Sequence, residues 1–248
     1  MNQNNSVKFF LFFLMTAFLL KASDQITLSG GTLEKIESIE NATELIGITL
    51  NSDSNIALRK VFELSAKNSE FNSLKLLESA TLFCGRNLYV HEDIIINMNA
   101  CLNINTFVQC DGALRLSSGS ALVFHLYNKN GLKAKSMNVE SGKASPLIQL
   151  LFKDRDSSLR VLHSQMPLID ISDSLEATSP ITISICRKPL SIPSGKYPLI
   201  KANKINTNQF NLDFNNRAAL DVELSAEQKA LHHLEFDETT VWLVVNEE

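Results

Sequence analysis

The chain has 248 residues, 44% of them apolar, with 23 basic and 27 acidic side chains and a net charge of −4. An acidic balance without a basic stripe argues against nucleic acid or an anionic membrane surface as partner. The length suffices for one sizeable core, and all-β folds of this size commonly form one domain.

The first feature in chain order is the apolar run FFLFFLMTAFLL at residues 9–20, broken only by Thr16, with Lys8 before it and Lys21-Ala22-Ser23 after it. The run is too short to span a bilayer but has the length of a signal-peptide core, and Ala22 and Ser23 offer small residues for cleavage. Residues 1–22 are therefore expected to be a secretory signal. The mature protein is expected to be exported to the periplasm, the cell surface or the medium, with no membrane span after cleavage. Removal of Lys8 and Lys21 leaves 21 basic against 27 acidic residues, a more acidic domain than the precursor.

Beyond the signal, short apolar runs of period two recur every 8 to 15 residues or so, separated by Gly, Asn, Ser or Asp. They include Glu44 to Leu50, Asn87 to Val90, Ala113 to Leu116, Ala121 to Leu126, Pro167 to Ile171, Ile181 to Ile185 and Val241 to Val245. Many short strands at this spacing predict a sandwich, a barrel or a solenoid. Helical periodicity is confined to one weak candidate at residues 224–233.

In residues 93–105, Ile94, Ile96, Met98, Ala100, Leu102 and Ile104 alternate with a series that includes Asn97, Asn99, Asn103 and Asn105. Such alternation puts one side in a core and a row of asparagines on the other. The chain has only nine glycines, and asparagine tolerates the left-handed backbone well enough to take over at turns, so these asparagines are read as structural. The six prolines, at 146, 167, 180, 189, 193 and 198, each predict a strand start, an edge or a turn, because proline cannot donate to a ladder.

Four cysteines remain after cleavage, at 84, 101, 110 and 186. An oxidising compartment permits disulfides, and the expectation is one bridge, Cys101 with Cys110, the alternative being free buried thiols. No cysteine or histidine spacing suits a metal, and no cofactor is expected.

Two stretches resemble the passenger domains of bacterial autotransporters and polymorphic outer-membrane proteins. The first, residues 76–126, carries small-residue turns followed by Leu-x-Leu or Leu-x-Phe strands, as in Gly112-Ala113-Leu114-Arg115-Leu116 and Gly119-Ser120-Ala121-Leu122-Val123-Phe124. The second, residues 166–202, ends in Gly195-Lys196-Tyr197-Pro198-Leu199-Ile200, with Phe210 and Val241 to Val245 matching the elements that follow in that family. The resemblance implies a right-handed parallel β-helix. It also implies an adhesin-like or scaffold role towards a host or surface macromolecule such as a glycan. Two departures stand out: glycine is sparse where passengers are rich in it, and Asn246-Glu247-Glu248 leaves no room for the outer-membrane barrel that ends an autotransporter. The expectation is a passenger-like protein without that barrel, organised as signal peptide 1–22, β-solenoid 23–205 and capping strands 206–248, with Trp242 in the cap. The same periodicity also allows an antiparallel β-sandwich.

Candidate chemistry is thin. His91-Glu92-Asp93 joins a base and two carboxylates, but in an extended chain only His91 and Asp93 share a side. His232-His233 reads as solvated surface. The best case for an enzyme is Asp154, Asp156, His163 and Asp170, with Arg155 and Arg160 among them, since polysaccharide lyases and hydrolases on β-helices use carboxylates on neighbouring coils for calcium binding or acid/base work. The bland reading of residues 153–158 is a polar turn with offsetting charges. Nucleotide-loop, serine-hydrolase and zinc-protease motifs are absent, and Asn41-Ala42-Thr43 fits a glycosylation acceptor.

Overall fold

Because period-two sequence with frequent turn residues cannot hold long helices, the chain forms strand after strand. The computed structural model describes residues 27–33, 44–50, 55–58, 61–64, 69–85, 87–126, 130–152, 164–187, 192–207, 209–214 and 226–247. The signal segment lies outside them.

The strands are β1 (Thr27–Leu33), β2 (Glu44–Leu50) and β3 (Asn55–Leu58), then β4 (Val61–Leu64), β5 (Ser69–Phe71) and β6 (Ser73–Leu76). There follow β7 (Thr81–Cys84), β8 (Leu88–Val90), β9 (Ile94–Ile96), β10 (Cys101–Ile104), β11 (Phe107–Cys110) and β12 (Ala113–Leu116). Next come β13 (Ala121–His125), β14 (Gly131–Ala134), β15 (Ser136–Val139), β16 (Leu147–Phe152), β17 (Ile169–Ala177), β18 (Ile181–Arg187), β19 (Gly195–Asn206) and β20 (Phe210–Asp213). A short helix α1 (Ala226–Ala230) leads into the hairpin of β21 (His232–Phe236) and β22 (Thr240–Val245). The weak helical signal at residues 224–233 thus shrinks to one turn, and its last two residues start a strand.

Two long sheets result. The first has nine strands in the order β1-β2-β4-β7-β10-β13-β16-β18-β20. The second has thirteen strands, with β5-β8-β11-β14 and β3-β6-β9-β12-β15 as two columns joined through the long β17. Through the middle of the chain every third strand pairs in parallel. Leu82 lies against Leu102 and Leu102 against Leu122, a spacing of 20 residues. The antiparallel sandwich is therefore corrected: among the described strands only β19 with β22 and β21 with β22 run antiparallel. Alternation in sequence could not separate the two architectures, because it reports which side a residue faces and not which way its partner runs.

Three aliphatic stacks form the core. Leu82, Leu102, Leu122, Ile148 and Ile183 succeed one another in the first sheet. Leu88, Val108, Leu132, Ile169 and Ile200 do so in one column of the second, and Leu74, Ile94, Leu114, Met137 and Leu175 in the other. All are buried and share one cluster. Each such side chain contributes about 1.5–3 kcal/mol by leaving water, so the stacks are the main stabilising term.

The corners follow from turn chemistry. Ser79, Asn99 and Gly119, 20 residues apart in turn, all adopt the left-handed conformation, with φ of 63°, 58° and 67°. The asparagine expectation holds at Asn99, but it also breaks residues 93–105 into two strands, β9 and β10, around a turn where Met98 is 47% exposed. The prolines fall largely as expected. Pro146 and Pro180 immediately precede β16 and β18, and Pro167 comes two residues before β17. Pro189 lies outside the described residues. Pro198 sits inside β19, at an irregularity in its pairing with β22, where a missing donor is tolerated. The hairpin closes the end of the second sheet: Val241, Leu243 and Val245 are buried against the core, whereas Trp242 is only half-buried and holds the Lys196 ammonium 4.9 Å from its ring centre.

Candidate functional site

Opposite the core, the second sheet presents a row of outward residues in register. Glu70, Tyr89, Gln109, Lys133, Asp170 and Lys201 are successive partners on β5, β8, β11, β14, β17 and β19. Since strands repeat every 4.8 Å or so, the row runs about 24 Å across the sheet. Tyr89 is 36% exposed, one of the few large hydrophobic residues to be so. Lys133 pairs with Asp170 at 3.8 Å and stands 6.0 Å from the ring centre of Phe107. At one flank His91 Nε2 lies 2.6 Å from Glu70 Oε1 and His91 Nδ1 3.9 Å from Asp111 Oδ2, while Gln109 Nε2 donates to Asp111 Oδ1 at 3.0 Å. These pairs are solvated, so each contributes at most about 1 kcal/mol.

The other flank is the corner where the chain crosses from the first sheet to the second. Asn105 and Thr106 alone make this crossing between β10 and β11, whereas residues 153–168 make it between β16 and β17. Phe107 N donates to Asn87 Oδ1 at 3.4 Å, and Asn130 Nδ2 donates to Ile104 O at 3.2 Å and to His125 O at 2.6 Å. The side-chain oxygens of Asn105, Thr106 and Asn130 are shielded from water and have no hydrogen-bond partner.

Of the residues singled out from sequence for catalysis, Asp154, Asp156 and His163 lie outside the described residues, as do Arg155 and Arg160. Asp170 belongs to the outward row. His91 and Asp93 do not converge: Asp93 Oδ2 takes the Arg115 Nε hydrogen bond at 2.9 Å and Oδ1 that of Ala113 N at 2.8 Å. Burial pushes the Asp93 carboxyl up, but the Ala113 amide and the hydrogen bond and charge of Arg115 together hold it below the usual carboxylate range. Among the described residues no group of three His, Cys, Asp or Glu side chains is arranged to hold a metal. His232, expected on the surface, is buried, edge-on to Phe214 at 5.4 Å; His233 is exposed beside Glu235.

All four cysteines are free. Cys101 and Cys110, the expected pair, stand on strands of different sheets, and each thiol is otherwise engaged: Asn103 Nδ2 donates to Cys101 Sγ at 3.3 Å, and Cys110 Sγ donates to Glu92 O at 2.9 Å. Burial pushes Cys84 up to about 12 and Cys101 and Cys110 up to about 11. Thiols of that kind are protonated at neutral pH and are poor nucleophiles.

Sequence reasoning missed the outward row and the polar corner. The signal for the row was present, since turns at Ser79, Asn99 and Gly119 define a 20-residue period from which register can be read. For the corner no local signal exists, because Asn130 meets Ile104 only through the pairing of neighbouring strands.

These features define a class: an all-β protein of long, mainly parallel sheets with a polar, partly aromatic outer face. Compared with protein-family models, with curated proteins and with solved structures, the chain matches none. Among the described residues no helix is long and apolar enough to cross a membrane.

Proposed function

We propose that this chain is an exported right-handed parallel β-helix that works without catalysis, as an adhesin-like or scaffold module at or near the cell surface. The observation that carries the reading is the outward row from Glu70 to Lys201, held in register across six strands. Such a row suits an extended polar polymer such as a glycan, because donors and acceptors repeat at the strand spacing and Tyr89 supplies a flat apolar ring. Right-handedness is expected from the strong bias of parallel crossovers to that hand. The resemblance to autotransporter passengers and the signal-like residues 1–22 support the cell exterior as the place of action. The test is binding of the purified mature protein to a panel of surface glycans. Binding weakened at least about tenfold by Tyr89→Ala supports the proposal; binding to none of them, or binding indifferent to Tyr89→Ala and Lys133→Ala, rejects it.

A second reading, a carbohydrate-active enzyme, is favoured by one placement: Asp170 follows the longest crossing at the polar corner, the one whose sequence contains Asp154, Asp156 and His163. Polysaccharide cleavage, calcium-dependent and lost in Asp154→Ala or Asp170→Ala, would replace the binding proposal with this one.

A further inference from the structure

Independently of the outward row, we propose that the corner formed by Asn105, Thr106 and Asn130 binds a small alkali cation, sodium or potassium, that ties two successive crossings together. Parallel pairing brings the three residues to one place. Phe107 is the register partner of Gly131, so Thr106 and Asn130 are equivalent positions on neighbouring strands, and Gly131 N donates to Thr106 O at 3.1 Å. The Asn130 amide nitrogen spends its hydrogens on Ile104 O and His125 O, which leaves its oxygen with lone pairs and no donor of its own.

The neighbouring donors are already used. Asn105 N goes to Cys84 O at 3.1 Å and Phe107 N to Asn87 Oδ1 at 3.4 Å. Among the described residues nothing donates to Asn105 Oδ1, Asn130 Oδ1 or Thr106 Oγ1, and water does not reach them from outside. Buried oxygens in that state cost free energy unless something coordinates them. A hard cation satisfies several at once. The set is neutral, two amide oxygens and a hydroxyl, so it offers no charge to offset the dehydration of calcium or magnesium, and a singly charged ion suits it better.

The experiment is thermal unfolding of the purified mature protein in sodium, potassium or choline chloride at equal ionic strength. The expected result is a Tm about 3 °C higher in the bound cation than in choline, at an ion concentration about tenfold above half-saturation. Thr106→Val keeps the side-chain shape and removes one ligand, so it should abolish the increment or move it to ion concentrations at least tenfold higher. The readout is the difference between salts for each protein, which stays meaningful if the variant is less stable overall. Equal Tm values in all three salts, or an increment that survives Thr106→Val, overturn the proposal and leave buried water as the occupant of the corner.

Discussion

At Gly119 the backbone has φ of 67°, and an added Cβ would stand 2.8 Å from Asn99 Oδ1, so strain and crowding act together. Gly119→Ala is expected to lower stability by about 1–3 kcal/mol, read from denaturant unfolding. Ser79 occupies the equivalent left-handed position with a side chain, and Ser79→Gly should raise stability by up to about 1 kcal/mol in the same assay. Asp93 makes a pH prediction. Its folded value lies below its unfolded one, so its contribution is present above the ordinary carboxylate range and is lost as pH falls through the folded value. Asp93→Asn should therefore lower Tm at neutral pH and converge with the unsubstituted protein in strong acid; a gap that persists there contradicts this. Cys84, buried and pushed up to about 12, should resist alkylation in the native state and react only on unfolding, as mass spectrometry of labelled protein would reveal.

Among the elements, the strands of the middle repeats are only three to five residues long, and each is stable only because another lies on either side. Leu102, between Leu82 and Leu122, is the centre of one stack, and Leu102→Ala should cost about 3 kcal/mol by denaturant unfolding. The strands themselves were largely legible: β2 and β12 have the bounds the alternation predicted, and β8, β13, β18 and β22 differ at an end by one or two residues. Residues 93–105 were not, because alternation continues through the turn at Asn99 and so conceals it. Within the candidate site Asp170 was legible as a charged residue, but its pairing with Lys133 was not, since 36 intervening residues separate partners that only sheet register brings together. Proline rules worked where proline starts a strand and failed at Pro198, where an irregularity in pairing absorbs it.

Across the whole molecule, a stack of short repeats is stabilised mainly by neighbours, so protection should follow position along the stack. Amide exchange is expected to be slowest in β7 to β15, which have partners on both sides, and faster in β20, which pairs only with β18. Uniform protection from end to end would contradict that picture and point to a single cooperative unit.

By itself the sequence determined which residues turn inward and where the chain can bend. Both depend on local facts, the two-residue period of an extended chain and the backbone preferences of Asn, Gly and Pro, which any window of ten residues carries. Tertiary structure alone decided the direction of pairing, the register of the outward row, the separation of Cys101 from Cys110 and the meeting of Asn105, Thr106 and Asn130. The physical reason is that ladder hydrogen bonds join identical backbone groups. A strand of given sequence can therefore pair in either direction, and only the simultaneous burial of three aliphatic stacks selects one partner and one register.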